Sequence, residues 1–327
     1  LSKMVGIDDS NDDDLLFNQS EISIPRPVRF WFLLLLDVPS IICAFFVLYH
    51  LLMDRSLRQQ LNNHTIIILL VLGLTIQLID IPLNLSFISH MGIVEPSSPI
   101  LCLIWWFIDV GYYNGITIIM AWGSFERHIL VFYDQWTSTR KKRLIIHYFP
   151  LIIMLCYINI FYFGVIFFPP CNNIYVYTLP VCNNFPCYLN DAILGKWDSI
   201  MNSILPTTLI SFFVVTLLIR VYRQKRRLNQ PIRWRKQRKL IVQLVPISIL
   251  YTSVNIPLNI IIFAHLCGLA NETGVDVQLY CDFLCYLVVM LFPFLCLGFV
   301  AELRKKTNLR QLFLPRTQRR VGATRHT

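Results

Sequence analysis

Charge is what this chain has least of. Charged residues are 15% of the 327, against roughly 25% in a soluble domain. Too little polar surface remains to cover a globule of this size, which excludes a soluble enzyme, a disordered chain and a coiled coil. Also lacking is a glycine-rich phosphate loop or a convincing Ser/His/Asp grouping. The seven histidines (His50, His64, His90, His128, His147, His265 and His326) include no i, i+4 pair. Nothing points to a metal site, a cofactor or an enzyme. No repeat relates the two halves, as it often does in transporters.

What is there instead is a series of long apolar runs. Hydrophobic residues are 55% of the chain and mean hydropathy is +0.56. A helix needs about 20 apolar residues to cross the hydrocarbon core. Seven stretches qualify: Val28–Met53, Thr65–Ile88, Ile100–Phe132, Leu144–Phe168, Asp198–Arg220, Leu240–His265 and Gln278–Val300. Backbone groups in lipid must bond internally, and the strict alternation of a barrel is missing, so the fold class is an all-α seven-transmembrane bundle. Pro39, Pro82, Pro150, Pro206, Pro246, Pro257 and Pro293 fall inside six of these spans, where kinks are expected.

Basic residues give the orientation. With loops assigned alternately, one side holds 25 Lys and Arg and the other only Lys3, Arg26, Arg29 and Lys196. The positive-inside rule puts the N-terminus outside and the C-terminus in the cytoplasm, at a plasma membrane. The net charge of +10 then faces anionic lipid, and a nucleic-acid partner becomes unnecessary. Residues 1–27 carry six acids and read as a disordered extracellular tail. Residues 28–300 form the bundle, 301–313 an amphipathic eighth helix lying on the membrane, and 314–327 a basic tail. Sequons at Asn18 and Asn271 lie outside in this topology, whereas Asn63 would be cytoplasmic and unused. Six cysteines fall at or beyond the outer face, Cys102, Cys171, Cys182, Cys187, Cys267 and Cys281. They permit three disulfides with 15 pairings open, Cys267 with Cys281 being the easiest local one.

The third span carries the sharpest pattern. Cys102 opens it, and Glu126-Arg127-His128 closes it, with Arg127 placed 25 residues after Cys102. In this the chain resembles the rhodopsin-like family of G-protein-coupled receptors, as a divergent branch. Pro206, Pro257 and Pro293 match the family's fifth-, sixth- and seventh-helix prolines. Asn255 stands in place of the sixth-helix tryptophan, and the seventh-helix motif keeps only Pro293. The resemblance implies a bond from Cys102 to the second outer loop. It implies a restraint of Arg127 by Glu126, and a swing of the sixth helix about Pro257 that frees Arg127 for a heterotrimeric G protein. Asp109 matches the aspartate that pairs with cationic ligands in amine and several peptide receptors, and Tyr286 its tyrosine partner. Asp80, Tyr113 and Trp106 complete the candidate ligand site, with aromatic rings as cation–π walls. Trp105 and Trp106 have a second reading as lipid-facing anchors. The alternative function is a non-receptor membrane protein such as a transporter or an odorant-type channel.

Overall fold

The computed structural model describes residues 22–132, 139–183, 185–227, 231–270 and 273–312. Among them every regular element is helical. Seven helices are long and apolar enough to cross a membrane: α1 (Arg26–Met53), α2 (Asn63–Ser89), α3 (Pro99–Leu130), α4 (Arg140–Phe167), α5 (Leu194–Arg220), α6 (Val245–Leu266) and α7 (Val275–Gly298). Large apolar side chains point outward, among them Leu35, Ile42, Ile160, Phe212 and Ile260, each more than half exposed. Asp37, Gln77, Asp80, Glu126, His147 and Asp198 are buried. Apolar faces without and polar groups within are what a lipid solvent demands.

The helices form a closed ring in which α7 packs on α1 and α6, and α5 on α6. Helix α3 passes inside the ring and touches α2, α4, α5 and α6. Small residues let α4 approach it. A Cβ at Gly115 would sit 3.0 Å from the Ile158 side chain, and one at Gly111 would sit 3.1 Å from Tyr162.

Four helices widen locally into π turns: Ile76–Asp80, Phe107–Tyr112, Leu144–Tyr148 and Asp198–Ile204. Three of these end two residues before a proline, namely Pro82, Pro150 and Pro206. A proline ring crowds the carbonyl four residues back and donates no hydrogen bond. That carbonyl belongs to Leu78, Ile146 or Asn202, inside the widened turn in each case. The prolines therefore act here through a wider turn, a recognised route to helix irregularity.

One end of the bundle is stapled. Cys102 at the start of α3 is bonded to Cys182, across 80 residues of chain, and Cys171 is bonded to Cys187. Both bonds hold the 168–193 loop over the bundle, where Val94 N–H also donates to the Tyr177 carbonyl at 2.8 Å. The expected Cys267–Cys281 bond is not formed. Cys281 lies inside α7 with its thiol turned into the core, whereas Cys267 is exposed beyond the end of α6. Helix is assigned continuously from Val275 to Leu312, so the expected eighth helix is not set apart from α7. The acidic tail, Asn18, Asn271 and the basic tail fall outside the described residues. Asn63 is buried and its amide donates to the Leu57 carbonyl at 2.8 Å, a role in a turn.

The loop leads into α5 through Asp191. Its carboxylate accepts from the backbone N–H groups of Ile193 and Leu194, both at 2.9 Å. These bonds hold its pKa below the ordinary carboxylate value. The contribution is therefore complete above the unfolded pKa of about 3.9 and is lost as pH falls through the folded one. Thermal unfolding of the purified protein should show wild type exceeding Asp191→Ala at neutral pH, with the gap closing below about pH 4. A gap independent of pH would contradict the cap.

Candidate functional site

The stapled end holds a carboxyl cluster. Asp80 closes the π turn of α2 and is 1% exposed. Its Oδ1 accepts from Trp105 Nε1 at 2.7 Å and from the Tyr286 hydroxyl at 3.2 Å. Asn84 donates to the same hydroxyl at 3.2 Å. Asp109, in the π turn of α3, lies close enough to Asp80 for the two carboxyls to interact. Asp282 of α7 adds a third acid close enough to repel Asp109. Helices α2, α3 and α7 thus bring three acids together.

Asp80, Asp109 and Tyr286, expected in one site, come together here, and Tyr286, expected as the partner of Asp109, donates to Asp80. Tyr113 sits deeper and joins α6 instead. Its hydroxyl donates to Asn255 Oδ1 at 3.2 Å, and Asn255 Nδ2 approaches the same hydroxyl at 2.9 Å. One turn on, Thr117 bonds the Tyr251 hydroxyl. Trp106 is not in the cluster. It is fully buried, donates to the Val181 carbonyl at 2.7 Å, and stacks on Tyr175 of the loop at 5.5 Å. It anchors the loop beside the Cys102–Cys182 bond. Neither it nor Trp105 faces lipid, because each indole N–H has found an acceptor inside the bundle.

At the opposite, basic end, Glu126 and Arg127 are 2% and 4% exposed. The Glu126 carboxylate accepts from Thr65 of α2 at 3.1 Å and from His147 Nδ1 of α4. His147 lies in the α4 π turn, and its Nε2 meets His64 Nδ1 at 2.9 Å. A carboxylate only accepts, so Nδ1 of His147 carries the proton there. Two helices, α2 and α4, therefore grip Glu126 of α3, and the Arg127 guanidinium lies in its field. Next along, His128 donates from Nε2 to the Phe213 carbonyl of α5 at 2.6 Å. Pro257 and Pro293 lie within α6 and α7.

Four participants escape a reading of the sequence. Asn255 stands out there only as a departure from a motif, and His64 and His147 only as members of a scattered set. Asp198 reads as a span boundary. Its carboxylate accepts from Tyr162 at 2.7 Å, Asn202 at 2.7 Å and Tyr188 at 3.3 Å, tying α4, α5 and the loop together. The available signal is an ionisable residue at the edge of an apolar run, which is costly there unless paired.

No protein-family model matches the chain, and no curated protein is significantly similar to it.

The clamp at the basic end is testable without knowing the function. Glu126→Gln and His147→Ala should each lower thermal stability. The double variant should cost less than the sum by roughly 1–3 kcal/mol, as for partners in one buried network. Additive losses would separate the two residues.

Proposed function

We propose that this protein is a G-protein-coupled receptor that takes a cationic ligand, an amine or a peptide, at its stapled end. With that ligand bound, it activates a heterotrimeric G protein from its basic end. One observation carries the reading. Helix α3 bears Asp109 of the acidic cluster near its disulfide and a buried Glu126–Arg127 pair at its far end, and both ends are tied to α2. The resemblance of the third span to rhodopsin-like receptors supports the same assignment of ends, as does the distribution of basic residues.

The bonds suggest a mechanism. An ammonium or guanidinium group neutralises the acids, drawing Asp109, Asp80 and Asp282 around one charge. Movement of α3 by that amount strains the Tyr113–Asn255 and Thr117–Tyr251 bonds, which are its links to α6. Both lie on the basic side of Pro257, so α6 yields about that proline. Withdrawal of α6 uncovers Arg127, while Glu126 stays with Thr65 and His147. Asn255 then does in polar form what a bulky ring does elsewhere: it registers the position of α3 and passes it to α6.

Cells expressing the chain with a G-protein dissociation reporter, challenged with biogenic amines and amidated cationic peptides, provide the test. At equal surface level, Asp109→Asn should lower potency at least tenfold, and Arg127→Ala should abolish the signal at any dose. A response retained in Asp109→Asn at full potency would overturn the cation site. A response retained in Arg127→Ala would overturn the coupling role.

A further inference from the structure

A row of titratable groups leads inward from the basic end. His64 stands in the first turn of α2 and is partly exposed. Its Nδ1 meets Nε2 of His147 on α4 at 2.9 Å, and His147 Nδ1 bonds the Glu126 carboxylate of α3. His147 has no exposed surface, and Glu126 is buried as well. Solvent therefore reaches this row at His64, and Glu126 sits at its inner end beside Arg127.

The hydrogen bonds assign the protons. A carboxylate only accepts, so His147 donates from Nδ1. A neutral imidazole carries one N–H, which leaves His147 Nε2 as an acceptor and makes His64 the donor from its own Nδ1. Both Glu126 oxygens are engaged, one by His147 and one by Thr65. The nitrogen left without a proton is Nε2 of His64, and it belongs to the partly exposed member of the row. One further proton thus has one point of entry.

We infer that His64, His147 and Glu126 form one proton-binding site, filled from the basic end, whose occupancy sets the charge facing Arg127. The incoming proton binds Nε2 of His64. The Nδ1 proton of His64 passes to Nε2 of His147, and the Nδ1 proton of His147 passes to Oε1 of Glu126. Each transfer uses a bond already made, and no other reactant is needed. The trio goes from one net negative charge to none wherever along the row the proton rests, so it titrates as a unit. Arg127 is buried and lies in the field of Glu126. Uptake cancels that field and favours arrangements in which Arg127 reaches water. Other neighbours change this little. Tyr148 is in ring contact with His147 at 4.7 Å and with His64 at 5.4 Å, and the Arg58 backbone adjoins His64. The Arg58 guanidinium is held by the Leu52 carbonyl at 3.4 Å, and Arg143, one turn before His147, is exposed. Both histidines lie outside the third-span pattern, so the site goes beyond the proposed signalling role. Its test needs no G protein.

The experiment uses the full chain, carrying isotope-labelled histidine, in lipid nanodiscs. Ring nitrogen signals are followed by NMR from about pH 8 to about pH 5, where imidazoles change charge. His64 and His147 should move together with one midpoint. Glu126→Gln should shift that step toward acid by at least about one pH unit, because the carboxylate that stabilises the added charge is gone. Arg127→Gln should shift it toward base, because a repelling cation is gone. His64→Gln, at a partly exposed position, closes the entry and should leave His147 without a step in this range. Each variant is first checked for monodispersity. Separate midpoints for the two histidines, or no step in the parent protein, would overturn the site. So would a step unmoved in Glu126→Gln, or one that His147 keeps in His64→Gln. A step unmoved in Arg127→Gln would overturn the link to Arg127.

Discussion

A polar side chain inside a hydrocarbon-facing bundle must find a partner within the protein, and the rest of this structure depends on that requirement. Water is absent at that depth, and an ionisable group left alone is among the costliest features a membrane helix can carry. The chain nevertheless buries Asp37, Asp80, Glu126, His147 and Asp198 in its spans. All but Asp37, whose Oδ1 has no partner, are answered from another helix: Asp80 by Trp105 and Tyr286, Glu126 by Thr65 and His147, Asp198 by Tyr162. These bonds are directional, so they specify which helices meet and at what height, which apolar packing against lipid does weakly.

The widened turns and the polar groups coincide. Asp80, Asp109, His147 and Asp198 each lie within a π turn. An extra residue in a turn rotates the helix beyond it and re-aims side chains toward the interior, and such turns recur at functional positions. Three of the four are explained locally by a proline just beyond. The prolines thus act less as hinges than as devices that aim acids and a histidine inward. Disulfides complete the arrangement by fixing the loop that carries Tyr188 and Val181, the partners of Asp198 and Trp106.

Much of this is legible in the sequence. Length and apolarity give all seven spans to within a few residues, because hydrocarbon thickness imposes one dimension on every helix. Asp80, Asp109 and Tyr286 are legible as acids and a phenol at a similar depth. What is not legible is which residues pair across helices. Six cysteines permit fifteen pairings, and only the fold shows Cys281 turned inward. The side facing inward on a helix of nearly uniform apolarity is set by rotation, and a single π turn changes it. Hence Trp106 is a loop anchor, and His147, with no sequence neighbour of interest, is the partner of Glu126. The end of α7 is ambiguous for a related reason: basic and apolar residues at helical spacing suit both a surface helix and a continued one.

The central claim is that cross-helix bonds to α3, rather than packing, fix the separation of α4 and α6 at the basic end. A pair of spin labels at position 142 on α4 and position 239 on the helix leading into α6 measures this directly. The distance distribution in nanodiscs should be single and short in the parent protein. In Glu126→Gln, and equally in Asn255→Ala, a second, longer population should appear without any ligand. One unchanged distribution in all three proteins would contradict the account.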